Sequence, residues 1–265
     1  MLFPFCSSML SAVPYLNHGF FSRQGGVSKG YFGNLNCKSH KNDNVAHTQE
    51  NRRRITQHLG GTCWVGLTQK HTNKAVFVDK SLSNESPKTD VASADALVTT
   101  VPGLILSIIT ADCVPILLCD ANKPLIGAIH AGWRGMFKGI IENTVGLMRD
   151  KGATDLRAAI GPCIHQLSYE VGPEFYEYFH HHSRLSETAH FDDFFQQSPL
   201  KEEHYLFDLP GLVRHTLHQQ DVVNIDELSH NTFTNEELFF SYRRKTLRGE
   251  LDTGCQASCI LIKTR

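Results

Sequence analysis

The stretch Gly103 to Gly135, GLILSIITADCVPILLCDANKPLIGAIHAGWRG, constrains the fold more than any other part of the chain. It holds three short apolar runs, Leu104 to Ile109, Ile116 to Cys119 and Leu125 to Ile129, each rich in branched residues and too short for a buried helix. Such runs predict buried strands, which places the polar residues between them at strand ends. Those residues are Ala111-Asp112-Cys113 after the first run and His130, in front of Ala131-Gly132-Trp133-Arg134-Gly135, after the third. Asp, Cys, His and Arg at the ends of buried strands can converge on one cleft, where mixed α/β proteins often carry their chemistry.

Cys113 and His130 read either as two ligands of one metal or as a buried thiol and a hydrogen-bonded core histidine. Gly132 and Gly135 let the backbone after His130 turn tightly and approach a ligand closely. Upstream, Gln69-Lys70-His71-Thr72 follows a predicted strand over Thr62 to Leu67 and supplies a second histidine in a similar setting. Asp95, at the start of a strand over Ala94 to Val98, reads either as a neighbour of the same cleft or as a turn-forming aspartate.

The chain of 265 residues is long enough for a substantial core and reads as one domain over residues 1–265. A formal net charge of −1 gives no electrostatic footprint for nucleic acid or an anionic membrane. The densest basic run, Arg52-Arg53-Arg54, reads as a solvated helix face. Asp112 and Asp120 interrupt the longest apolar candidate for a membrane span. The apolar N-terminus lacks a basic region, is broken by Pro4 and Pro14, and reads as a first strand rather than a signal peptide. Eight scattered cysteines without a short-spaced framework predict reduced thiols in a cytoplasm.

In chain order, Asn17 to Phe21 predicts a strand leading into Ser22-Arg23-Gln24-Gly25-Gly26, where Arg23 beside exposed amides could meet an anion or simply flank a glycine turn. Helical spacing runs from Val45 to Leu59 and stops at Gly60-Gly61. Ala75 to Val78 predicts a strand and Ser81 to Thr89 an exposed loop. Phe137, Ile140, Ile141, Thr144, Val145 and Met148 predict one amphipathic helix to Lys151, closed by Gly152. Leu156 to Ile160 is a strand and residues 173–182 a helix, on which His180, His181 and His182 point in different directions. Residues 183–204 are polar and poorly patterned. Asp208 with Pro210 predicts the capped start of a helix to Gln220, and Cys259 to Ile262 a closing strand. The alternation predicts an α/β fold of mixed, α+β character: a compact domain with a mixed sheet and flanking helices, without internal repeat or linker.

Four blocks then carry a family resemblance: SRQGGVSKGYFGNLN at Ser22 to Asn36, QKHT at Gln69 to Thr72, TADCVPILL with HAGWRG, and FFSYRR at Phe239 to Arg244. Together they resemble the laccase-domain family of bacterial and animal purine nucleoside phosphorylases, in the family's order and across nearly the whole chain. The resemblance implies the laccase-domain fold and one zinc ion held by His71, Cys113 and His130, with copper a possible substitute. A thiolate with two imidazoles suits zinc and leaves a fourth position open. It also implies phosphorolysis of adenosine, inosine, guanosine and methylthioadenosine, and deamination of adenosine. The implied partners are purine nucleosides and phosphate; the sequence carries no signal of oligomeric state. Arg23, Asn36, Arg243 and Arg244 are the expected substrate or phosphate contacts, Arg134 and Asp112 the expected catalytic residues, with Asp112 handling a proton or supporting the Cys113 ligand.

The chain departs from the family pattern at Asn231, where cysteine is common, and at Cys255, where arginine is usual. Rival readings are a copper-dependent polyphenol oxidase, a cysteine hydrolase with a Cys113–His130 dyad, and a protein that binds or edits a peptidoglycan precursor.

Overall fold

A computed structural model describes residues 2–79, 92–182 and 191–264. The predicted loop over Ser81 to Thr89 and the first part of the polar stretch after residue 182 lie outside the described residues. In chain order the elements are α1 (Ser8–Ser11), β1 (Leu16–Phe20), α2 (Val45–Leu59), β2 (Cys63–Val65), β3 (Ala75–Val78), β4 (Ala96–Thr99), β5 (Leu104–Thr110), β6 (Val114–Asp120) and β7 (Ile126–Ala131). There follow α3 (Trp133–Lys138), α4 (Ile140–Asp150), β8 (Leu156–Ile160), β9 (Glu170–Val171), α5 (Pro173–His182), β10 (Phe195–Gln197), β11 (Tyr205–Phe207), α6 (Leu209–Gln219), β12 (Asn224–Glu227), α7 (Tyr242–Leu247) and β13 (Gln256–Ile262).

The three apolar runs of the Gly103–Gly135 stretch are buried strands, as expected, but they do not share one sheet. β5 lies in a four-stranded sheet of order β1-β13-β5-β2, whereas β6 and β7 lie in a six-stranded sheet of order β12-β8-β6-β7-β4-β3. The two sheets stack face to face. Leu104, Leu106 and Ile108 of β5, Ile260 and Ile262 of β13, Leu117 and Cys119 of β6 and Ile126 and Ala128 of β7 fill the layer between them. On the outer side of the smaller sheet, Ile105, Ala257, Cys259 and Leu261 pack against Ile55 and Leu59 of α2. On the outer side of the larger one, Ile116, Leu118 and Ile129 meet Ile140, Ile141, Val145 and Met148 of α4 and Leu212, Val213 and Leu217 of α6. Strands covered on both faces read as continuous apolar runs, which is why no alternation shows in the sequence. A mixed α/β domain is therefore realised as two stacked sheets between helical layers. A small sheet of order β10-β11-β9 packs its Phe195 and Phe207 on Phe175 and Phe179 of α5.

Several local expectations change. The N-terminal segment is not one strand: Phe5 makes a single antiparallel bridge to Phe20, Ser7 caps α1 by accepting from the Leu10 N–H, and Leu16–Phe20 pairs as a strand, antiparallel with β13. The helix predicted to run through Phe137 to Lys151 is two helices, because Gly139 (φ 89°) ends α3 and begins α4 in the left-handed region. Arg52 is not on a solvated face. It is buried under α2, its guanidinium donating to the Cys37 carbonyl and the Ser39 hydroxyl, while Arg53 and Arg54 clasp Glu50. α6 begins as predicted, with the Asp208 carboxylate accepting from the Gly211 N–H.

Candidate metal centre

Register in the six-stranded sheet assembles the site. β6 and β7 run antiparallel with Val114 opposite Ala131 and Pro115 opposite His130, so Cys113 and His130 meet at one end of the sheet. β4 flanks β7 with Ala96 opposite Ile129, and the His130 N–H donates to the Asp95 carbonyl at 2.8 Å. The segment carrying His71 is not part of this sheet. It is tied to β5 through Gln69, whose amide donates to the Ile109 carbonyl (2.8 Å) and accepts from the Ile109 N–H (2.9 Å). Two stacked sheets thus deliver one ligand group.

Among the described residues, the ligand atoms of His71, Cys113 and His130 all lie within 4.8 Å of one another, with Cys113 Sγ 3.8 Å from His71 Nε2. Asp95 organises the trio from beneath. Fully buried, it accepts from His130 Nδ1 (2.8 Å), from the N–H groups of Lys70, His71 and Thr72, and from the Thr72 hydroxyl (2.7 Å). This leaves the other nitrogen of His130 facing the cluster, and it fixes His71, which adopts φ 55°. A non-glycine residue in that region costs about 1–2 kcal/mol, and the Asp95 bonds offset it. In the sequence Asp95 reads as a cleft neighbour or a turn former; in the structure it anchors both histidines.

Electrostatics follow from this packing. Burial opposes ionisation of Asp95, but the bonds from His130 and then Thr72 outweigh it and hold the carboxyl well below its usual range. Burial likewise pushes the Cys113 thiol up, yet His130 and then His71 bring it below its ordinary value. For His130 burial favours the neutral ring, and the Cys113 sulfur, followed by Asp95, raises its basicity above normal. A thiol primed to ionise between two imidazoles, one oriented by a buried carboxylate, is an arrangement that can hold a metal ion. Gly132 supports the same reading, since a Cβ there would stand 2.6 Å from His71 Cδ2 and 3.0 Å from Cys113 Sγ.

Two cavities meet at the trio. One, about 290 Å³, runs toward Trp64, Ser107, Thr110 and Cys255; the other, a cleft of about 560 Å³, is bordered by Asp112, Trp133, Arg134, Tyr169, Tyr242 and Arg243. The structure therefore brings Asp112, Arg134 and Arg243 to the His71, Cys113 and His130 trio. The Asp112 carboxylate accepts from the Thr232 hydroxyl (2.6 Å) and the Arg243 N–H (2.8 Å), seating the start of α7 beside Cys113. Arg243 lies over the Tyr169 ring and donates to the Glu170 carbonyl, and the exposed Arg134 lies over Trp133.

The remaining expected contacts are placed elsewhere. Arg23 and Arg244 line a separate pocket of about 300 Å³; Arg23 stacks on Phe240 and donates to the Gly33 carbonyl, and Arg244 donates to the carbonyls of Thr232, Phe233 and Phe239. Asn36 is fully buried, its amide shared among Lys38, Asp43 and the Cys255 N–H. Of the departures, Cys255 borders the smaller cavity, and Asn231 bonds the Ser168 hydroxyl outside both cavities at the trio. Tyr169 and Tyr242, which border the cleft, carried no signal in the sequence that distinguishes them from core and surface aromatics.

Residues 17–263 match the family model described as multi-copper polyphenol oxidoreductase laccase. The chain belongs to this family. Laccase-domain relatives include a purine nucleoside phosphorylase of Rickettsia conorii, 39% identical over 206 residues covering 77% of this chain and 81% of that protein. A purine nucleoside phosphorylase of Haemophilus influenzae is 31% identical over 241 residues, 90% of this chain and 93% of the relative. Among solved structures, YlmD from Geobacillus stearothermophilus shares the fold with a TM-score of 0.83 at 30% identity, covering 95% of this chain and 93% of that one. YfiH of Bacillus licheniformis does so with a TM-score of 0.82 at 29% identity, covering 94% and 93%. The two stacked sheets and their helical layers are thus those of the laccase-domain proteins, and the Rickettsia and Haemophilus relatives carry the name of an enzyme.

Proposed function

We propose that this laccase-domain protein is a zinc-dependent purine nucleoside phosphorylase, cleaving adenosine, inosine, guanosine or methylthioadenosine with inorganic phosphate to the base and a pentose 1-phosphate. The observation that carries the reading is the convergence on one cleft of a His, Cys, His ligand trio and two arginines. The names of the relatives agree with it.

Phosphorolysis requires a dianion held against the sugar carbon while the bond to the base breaks. Arg134, exposed at the cleft and stacked by one face on Trp133, offers a fork of N–H donors of the kind that binds phosphate bidentately. Arg243 is held in place by Tyr169 and the Glu170 carbonyl, so its remaining donors meet the anion without first losing much side-chain freedom. Asp112 keeps α7, and with it Arg243, at the site; Arg244 secures the Thr232 carbonyl, whose residue in turn donates to Asp112. Arg23 and Asn36 act at a distance in this account, as supports of the loops around the two cavities. A zinc ion held by His71, Cys113 and His130 would supply a Lewis acid beside the reacting groups. Copper suits the same donors, but among the described residues there is one such ligand cluster, whereas a multicopper centre needs several.

The same cleft is our proposed site for adenosine deamination, seen as inosine formed without phosphate. All eight cysteines are free, in keeping with a cytoplasmic location for one domain spanning residues 1–265. The test is product analysis of adenosine incubated with zinc-loaded protein, with and without phosphate. Adenine and ribose 1-phosphate formed only with phosphate, and lost in Cys113→Ala, is the expected outcome; a zinc-loaded protein that turns over no purine nucleoside would refute it.

A further inference from the structure

Between the 290 Å³ cavity and the 560 Å³ cleft, four residues border both: Lys38, His71, Ala111 and Cys113. Two of these are metal ligands and one is an alanine. Among the described residues Lys38 is the single cationic side chain that faces both spaces at the ligand trio. Its backbone is clamped by Asn36, whose amide nitrogen donates to the Lys38 carbonyl (2.9 Å) and whose oxygen accepts from the Lys38 N–H (3.1 Å). Asn36 is itself pinned by Asp43 and by the Cys255 N–H. The chain therefore uses a buried, fully bonded asparagine to hold the root of an exposed lysine. Among the described residues Lys38 Nζ has neither a hydrogen bond nor an ion pair, in contrast to Arg243, which is already committed to a carbonyl. The smaller cavity also contains the Thr110 hydroxyl, 2% exposed and without a hydrogen-bond partner. A buried hydroxyl left unpaired in a cavity wall points to a ligand oxygen.

We propose that Lys38 contacts the substrate, holding an oxygen of inorganic phosphate where the two cavities join. A compact ammonium on a flexible stem, with its base fixed, suits an anion that must enter from solvent and settle beside the metal ligands. Arg134 and Arg243 then grip the same anion from the cleft side. The assignment rests on the phosphorylase reading for the identity of the anion, and the experiment separates the two.

Lys38→Met and Lys38→Arg are made in the full chain, loaded with zinc, and their Michaelis constants for phosphate and adenosine measured, with zinc content and thermal unfolding as controls. Lys38→Met raises the phosphate constant about tenfold or more. The adenosine constant stays within about twofold, since uniform binding of the nucleoside is untouched. Lys38→Arg restores most of the loss. An unchanged phosphate constant in Lys38→Met overturns the proposal. If the wild-type protein shows no phosphorolysis, calorimetric titration of the zinc-loaded protein with inorganic phosphate decides. Binding by wild type and not by Lys38→Met upholds Lys38 as an anion contact while the phosphorylase reading falls; no binding by wild type, or equal binding by both, overturns the proposal.

Discussion

Asp95 is the residue on which the ligand trio depends without ligating. It fixes the ring of His130 and the left-handed backbone of His71 at once. Asp95→Asn keeps the shape but replaces an acceptor oxygen with a donor, facing groups that are themselves donors. The expected result is a loss of zinc affinity of about 10–100-fold, read by competition with a chromophoric chelator. A stability loss of about 1–3 kcal/mol in urea unfolding should accompany it. Unchanged zinc affinity would mean that the histidines are oriented by something other than Asp95. The sequence offered this aspartate only as a strand-start residue, because its five donors come from segments 23 to 35 positions away. Asp112 and Asp120 show the same limit from the other side. At the two ends of β6 they look alike in the sequence, yet Asp120 is spent on turns, accepting from the N–H groups of Asn122, Lys123 and Asp155, while Asp112 borders the cleft.

At the scale of elements, legibility followed burial. β5, β6 and β7 were readable because both faces of each strand are covered, and α6 because Asp208 and Pro210 mark its start. What escaped were elements held by distant partners. β12, the polar stretch Asn224–Glu227, is a strand because it lies parallel to β8 at the edge of the large sheet. α1 forms because Leu10 and Val13 reach the layer between the sheets. The break at Gly139 escaped because Phe137, Ile140 and Ile141 keep helical spacing across it. Gly139→Ala tests that break: an added Cβ has room, its nearest neighbour being the Glu142 carboxyl at 3.6 Å, so the cost is that of the left-handed backbone alone. Urea unfolding should show a loss of about 1–2 kcal/mol. No loss would mean that α3 and α4 can fuse without penalty.

For the whole molecule, the fold's acid sensitivity has a source away from the His71, Cys113 and His130 trio. His18 of β1 is 5% exposed and accepts from the Ser7 N–H at 2.9 Å. Burial holds its pKa down to about 4 from an ordinary 6.5, against a weaker upward pull from Asp226. The unfolded chain takes up a proton at its ordinary value and the folded chain resists until about 4, so the unfolded state binds more protons between the two. His18 therefore contributes stability that is fully present above pH 6.5 and is lost as pH falls to about 4, amounting to about 3 kcal/mol. Urea unfolding midpoints measured across that window should fall with pH, and less steeply in His18→Gln; parallel slopes would assign the acid loss to other groups. The central claim is that one metal ion at His71, Cys113 and His130 drives phosphate-dependent cleavage of purine nucleosides. The measurement that meets it most directly is turnover of adenosine with phosphate as metal-free protein is titrated with zinc. Release of adenine and ribose 1-phosphate rising in proportion to zinc and levelling at one ion per chain is the predicted result, with no response in Cys113→Ala. Full turnover before any zinc is added, or zinc saturation without phosphate-dependent release of the base, would contradict it.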